Sequence, residues 1–224
     1  MLSLKATYTV DGRLEKVFTF NQDTEQEAIY NSVLLKQKKD LHKRIGDDIE
    51  WLYERNLDSF FEELGMHYEK AEVLNKAALY YHSSALKHKR LFNISDSFNY
   101  FTKALELETS LKNPSSERLL SANKEISEIL IIMSKYQEVL DSLNKALTLN
   151  IDKEEKSTLL LMKARIFTDM GKHNETLEIL QSLESKLNQN SSLYGSLLYL
   201  KYTVLRVLGH QEEALRIIKK GKGF

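Results

Sequence analysis

The chain has 224 residues with 32 basic and 32 acidic side chains, so no global field draws it onto nucleic acid or an anionic membrane. It contains no cysteine, which excludes disulfides, thiolate chemistry and cysteine-ligated zinc, and which fits a reducing compartment. Its single proline predicts a mostly helical protein, because proline breaks helices from within, and no apolar run approaches the roughly 20 residues that a membrane span needs.

In chain order, Leu4 to Val10 and Leu14 to Phe20 are rich in β-formers and flank Asp11-Gly12. That dipeptide is a hairpin signal, because both central residues of the tight turn need φ > 0. Residues 1–22 are therefore expected to form a short β-hairpin. Thr7, Asp11, Arg13 and Glu15 interrupt the start too early for a signal-peptide core, and the expected location is cytoplasmic. From Thr24 the period turns helical, with Thr24 and Glu27 in a capping-box pattern. Residues 23–72 read as a helical linker region. It holds one long helix to about Asn56, or two with a bend near Lys38 to Asp40, and a further helix over Leu57 to Ala71.

Residues 73–224 carry a repeat. Turn-plus-helix segments starting at 93, 135, 172 and 210 lie 42, 37 and 38 residues apart, and each follows another amphipathic helix. Four helical hairpins are predicted, over about 73–112, 115–150, 153–187 and 190–220. Ala85, Ser127 and Ala164 occupy a small position where paired helices cross. Phe101, Leu143, Leu180 and Ile218 fill the core of the second helices, and Ala104 and Ala146 let the next repeat approach. Gly171 and Gly209 end first helices, where φ > 0 favours glycine.

This pattern resembles the tetratricopeptide repeat, as in Ala164…Phe167…Gly171 and Gly209…Ala214. It departs from the family at Tyr202 and Thr176, in lacking the proline at repeat ends, and in exceeding the period of about 34 residues. The resemblance implies an all-α superhelix of antiparallel helical hairpins, here with the N-terminal β-hairpin appended. It also implies a groove lined by first helices that takes a protein or peptide. Register places His82, Lys89, Arg90, Lys124, Glu128, Arg165, Asp169, Tyr199 and Arg206 on that groove.

A narrower resemblance runs from Phe18 to Leu107, through Gln26-Glu27-Ala28-Ile29-Tyr30, Leu41-His42-Lys43-Arg44-Ile45-Gly46, His67-Tyr68-Glu69-Lys70-Ala71 and Ala104-Leu105-Glu106-Leu107. It is similar to the region after the ATPase module in large bacterial signalling proteins. Those join a nucleotide cyclase or kinase, a P-loop ATPase, a winged-helix segment and C-terminal tetratricopeptide repeats. The resemblance implies that the hairpin is a wing remnant, and that the chain is a truncated or excised form of such a protein or a stand-alone subunit acting on a partner ATPase or cyclase. The phosphate-binding G-x-x-x-x-G-K-[ST] loop itself is missing.

The remaining candidates have plainer readings. The six histidines contain no i, i+4 pair, so no metal site is expected. His67-Tyr68-Glu69 could perform acid–base work, but an inward-packed Tyr68 is the preferred reading. Lys36, Lys38, Lys39, Lys43 and Arg44 read as a solvated face diluted by Asp40, Asp47 and Asp48. Lys219, Lys220 and Lys222 suit a helix C-terminus. The expected function is non-catalytic protein binding, as sensor or scaffold of a bacterial signalling system, without cofactor or membrane contact. The alternatives are a regulatory fragment or subunit of an ATPase or cyclase, and a nucleic-acid regulator acting through the wing remnant. The last helix, with Leu215, Ile217 and Ile218, could also join two copies into a homodimer.

Overall fold

The computed structural model describes residues 2–10, 13–20 and 23–221. The Asp11-Gly12 turn and residues 222–224 lie outside the described residues, as do the side chains of Thr24, Ile218 and Lys220. The chain divides into two compact units, Met1–Ala77 and Ala78–Phe224.

In the first unit, β1 (Leu2–Val10) and β2 (Arg13–Phe20) run antiparallel, with Leu2 opposite Phe20 and Val10 opposite Arg13. Two helices follow, α1 (Asp23–Ser32) and α2 (Leu35–Leu52). The break between them falls at Leu34, which is extended at φ −60 and ψ 145, ahead of the bend expected at Lys38 to Asp40. No glycine or proline marks it in the sequence. The helix expected over Leu57 to Ala71 is also shorter. A 3-10 segment, Glu54–Phe60, comes first, with Asn56 out of helical geometry and the Tyr53 and Phe60 rings stacked 4.1 Å apart. Then comes α3 (Phe61–Lys70), which packs on α2. The two meet closely at Gly46. A Cβ there would lie 2.9 Å from the ring of Tyr68, which is fully buried. The Tyr68 hydroxyl donates to Asp47 at 2.9 Å and accepts from Lys76, which also pairs with Glu50 at 2.7 Å.

Helix α4 (Leu74–Arg90) leads into the second unit, followed by α5 (Ile94–Ser110), α6 (Ser116–Ile132), α7 (Tyr136–Leu147), α8 (Lys153–Asp169), α9 (His173–Glu184), α10 (Ser192–Val207) and α11 (Gln211–Gly221). These are four hairpins: α4–α5, α6–α7, α8–α9 and α10–α11. The small crossing residues Ala85, Ser127 and Ala164 are fully buried, as are Phe101, Leu143 and Leu180 opposite them. Ala104 and Ala146 are buried at the contacts with the next hairpin. One core cluster runs from Ala85 and Phe101 through Leu143 to Ile166, and a second from Leu161 to Leu200. At Thr176, where the repeat pattern has alanine, the hydroxyl is buried but satisfied by the carbonyls of Ala164 and Lys172. The start of α8 at Lys153 is set by Asp152, whose side chain accepts from the amide of Glu155, an N-cap that the hydrophobic pattern alone does not show.

Each hairpin turns through the same backbone device. Glu72 before α4, and then Phe92, Ser134, Gly171 and Gly209, all adopt positive φ, between 56° and 81°. In each case the next amide bonds back five residues: Val73 to Tyr68, Asn93 to His88, Lys135 to Leu130, Lys172 to Phe167 and His210 to Leu205, at 2.8–2.9 Å. This is the Schellman C-cap, in which a left-handed residue lets two orphan carbonyls find donors. Glycine supplies it without a Cβ penalty in the last two hairpins. The earlier turns adopt it with larger residues.

Between α5 and α6 the chain buries an ion pair. Glu108 is almost fully covered and accepts from Arg118 Nε at 2.7 Å and from a second guanidinium nitrogen at 3.2 Å. The backbone amide of Ser115 also donates to it. A buried carboxylate with three donors is tolerable where an unpaired one is not.

Candidate functional site

The first helices of the second unit lie side by side and parallel. His82 on α4 reaches Ser121 on α6 at 3.0 Å, and one turn or more further along Lys89 reaches Glu128 at 2.6 Å. Lys89 also pairs with Glu125. On the next seam, Lys124 of α6 pairs with Glu155 of α8 at 3.0 Å. These bridges join positions 31 to 39 residues apart in the chain. Four groove residues expected from register, His82, Lys89, Lys124 and Glu128, are thus tied to the neighbouring first helix. His82 also sits edge-on to Phe101, and burial followed by the nearby Arg118 cation holds its imidazole below the ordinary value.

The seam between α8 and α10 is different. No ion pair crosses it among the described residues. It opens into a groove of about 720 Å³ with Leu161, Met162, Leu193 and Leu200 in its lining. Arg165 and Asp169 stand exposed on the α8 wall one helical turn apart, and Tyr199 stands exposed on the α10 wall. Three of the nine register positions therefore meet in one groove. Small residues keep it open: Thr158 on α8, and Ser192, Gly195, Ser196 and Thr203 on α10. A Cβ on Gly195 would meet nothing within 4 Å. None of these small residues stands out in the sequence, because openness is a property of two helices together. Arg90 and Arg206 are exposed but outside this groove, and Arg206 lies over the Tyr202 ring at 5.8 Å.

A second cavity of about 720 Å³ lies at the other end of α8. Lys153, Lys156, Leu160, Leu187 and Ser191 help to line it. It contains none of the register positions.

The groove can hold an extended chain. Its apolar floor accepts side chains, hydroxyls on both walls can bond a peptide backbone, and Arg165 and Asp169 offer a cation and an anion for opposite charges.

In the first unit, His42 and His67 come together. Their Nδ1 atoms are 2.8 Å apart, and His42 Nε2 is 2.9 Å from the Tyr30 hydroxyl. One proton between the two imidazoles satisfies this chain of contacts. Burial, and then the neighbouring charges, hold both rings below the ordinary value. Tyr68 beside them is packed inward, and burial with the Glu50 and Asp47 carboxylates pushes its hydroxyl far up. The basic run on α2 is partly engaged within the same unit. Lys39 pairs with Glu72 and Lys43 with Asp47, both at 2.6 Å, and Lys38 lies over the Tyr30 ring. Among the described residues, no three His, Cys, Asp or Glu side chains converge to hold a metal ion, and no helix is long and apolar enough to cross a membrane.

The chain is similar to several solved repeat structures. One is a protein from Podosopora anserina with nearly identical TPR-like repeats, with a TM-score of 0.59 and 13% identity over 84% of this chain and 93% of that one. A second is the MamA protein, at 0.53 and 17% over 82% and 90%. A third is YrrB, a TPR protein with an unusual peptide-binding site, at 0.52 and 15% over 88% and 88%. At these identities the likeness establishes the fold, which is that of tetratricopeptide-repeat proteins. No protein-family profile and no curated protein sequence matches the chain.

Proposed function

We propose that the protein is a non-catalytic interaction module that binds an extended peptide or protein segment in the groove between α8 and α10. The observation that carries this reading is the contrast among seams. On the two earlier seams Lys89 and Lys124 are engaged by carboxylates of the neighbouring first helix, whereas this one is crossed by no ion pair among the described residues and forms an apolar-floored groove flanked by Arg165, Asp169 and Tyr199. An open groove with unpaired polar groups at its rim is a binding feature, since burying the same surface within the protein would have been simpler. The fold is compatible with it, and one protein of the same fold, YrrB, has a peptide-binding site.

The test is to fill the groove without disturbing the fold. Gly195→Leu places a side chain in open space and raises helix propensity, so stability should hold or rise by about 1 kcal/mol. Peptides selected from a random display library against the wild-type protein should lose binding to Gly195→Leu and weaken on Arg165→Glu. Selected peptides that bind both variants as well as wild type would remove the groove from the account.

The narrower reading, a cytoplasmic sensor or scaffold of a bacterial signalling system with β1 and β2 as the remnant of a wing, rests on the resemblance of residues 18–107 to such proteins. For a stand-alone chain it implies an ATPase or cyclase as partner. Co-purification of such an enzyme in a complex that depends on the α8–α10 groove would support it. A groove ligand unrelated to any nucleotide-handling enzyme would count against it.

A further inference from the structure

Three of the four hairpin turns in the second unit, the first, second and fourth, push apolar side chains into water. Phe92 is 87% exposed and Ile132 70%, and Leu91, Met133, Val207 and Leu208 are exposed as well. All six lie at or within two residues of the left-handed residues Phe92, Ser134 and Gly209. Because the first helices run parallel, these turns share one edge of the unit. Scaled by side-chain size, the exposures leave roughly 700 Å² of apolar surface there, near the roughly 800 Å² per partner of a standard protein interface. Phe92 adds a second observation. An aromatic residue occupies a φ of 59° where two later turns use glycine, so the chain holds a ring in solvent at a position that resists it.

The charges at the two ends of this edge are opposite. At the first turn, Arg90 is exposed and has no ion pair among the described residues. At the fourth, α11 opens with the exposed Glu212 and Glu213, the latter 3.8 Å from His210. The cation at that end, Arg206, is drawn over Tyr202. Turning one edge over to face another in antiparallel sense sets the first turn on the fourth and the second on the third. Leu91 and Phe92 then meet Val207 and Leu208, Arg90 meets Glu212, and Ile132 and Met133 face the third turn, whose Met170 is half-buried against the core. Such self-complementarity is what a two-fold interface requires.

We infer that the turn edge of the second unit is an interface for a second copy of this chain, packed antiparallel. The inference is independent of the groove, which lies between α8 and α10 along their length, and either can fail without the other.

Sedimentation velocity of the full chain from about 1 to about 100 μM reads the association directly. The expected result is a concentration-dependent dimer. Phe92→Gly with Ile132→Ser should weaken it by about tenfold or more, because exposed aromatics become anchors when buried. Phe92→Gly alone should weaken the dimer while leaving the thermal midpoint of a monomeric dilution no lower than wild type, which separates the interface from folding. Arg90→Glu should weaken it, and Glu212→Arg added to Arg90→Glu should restore it. Three results would overturn the inference. The first is a monomer throughout the range. The second is a dimer lost on Leu215→Ser in the last helix but unaffected by Phe92→Gly. The third is a monomer that pellets with anionic vesicles through Phe92, which would make the edge a lipid contact.

Discussion

Ser134 and Gly171 occupy the same turn position in successive hairpins, at φ 56° and 74°, and exchanging their chemistry should move stability in opposite directions. A residue with a Cβ in the left-handed region costs about 1–2 kcal/mol. Glycine removes that cost but adds unfolded-state entropy, about 0.5–1 kcal/mol in the other direction. The net expectation is that Ser134→Gly stabilises by about 0.5–1 kcal/mol and Gly171→Ala destabilises by a similar amount. The sites isolate the backbone term. Ser134 is exposed, and a Cβ on Gly171 would touch nothing within 4 Å. The bonds that the cap provides, Lys135 to Leu130 and Lys172 to Phe167, remain in both variants. In a chain of this size about 1 kcal/mol moves the thermal midpoint by about 2–4 °C, and urea midpoints give the same comparison. A repeat array can unfold in parts, so both probes should be read with far-UV circular dichroism. A neutral or destabilising Ser134→Gly together with a neutral Gly171→Ala would refute the shared left-handed turn.

The other predictions concern named contacts. Gly46→Ala should destabilise the first unit by about 1–2 kcal/mol, because the clash with the Tyr68 ring outweighs the helix-propensity gain of about 1 kcal/mol; an increased urea midpoint would contradict the close approach. Arg118→Met leaves the Glu108 carboxylate buried without its cation and should cost about 3 kcal/mol, read as a fall in thermal midpoint, whereas a loss below about 0.5 kcal/mol would mean that Glu108 reaches water. The protein should weaken as pH falls below about 6.5, since unfolded histidines take up protons there while His42, His67 and His82 in the fold do so only at lower pH. Replacing His42 and His67 together by Gln should flatten part of that slope in urea titrations, and a wild-type midpoint constant from about pH 7.5 to 5.5 would contradict it.

Much of the repeat is legible in the sequence because its signals are local. Ala85, Ser127 and Ala164 recur 42 and 37 residues apart, and Gly171 and Gly209 announce left-handed turns. The equivalent turns at Glu72, Phe92 and Ser134 are hidden, since nothing in those residue types favours φ > 0 and the hairpin packing imposes it. The break at Leu34 and the 3-10 segment at Glu54–Phe60 are hidden for the same reason: no breaker residue marks either. Register alone brings Arg165, Asp169 and Tyr199 to the first-helix face. It cannot tell that Lys89 and Lys124 find carboxylates 31 to 39 residues away, or that Gly195 and Ser196 leave a cavity, because both depend on which helices become neighbours.

The most direct measurement of the central claim is a methyl-labelled titration with a peptide selected against the wild-type protein. The account predicts that the methyl signals of Leu161, Met162 and Leu200 shift and saturate together, that Leu160 and Leu187 in the other cavity stay still, and that Gly195→Leu abolishes the response. Saturable shifts confined to Leu160 and Leu187, or shifts that survive Gly195→Leu, would contradict it.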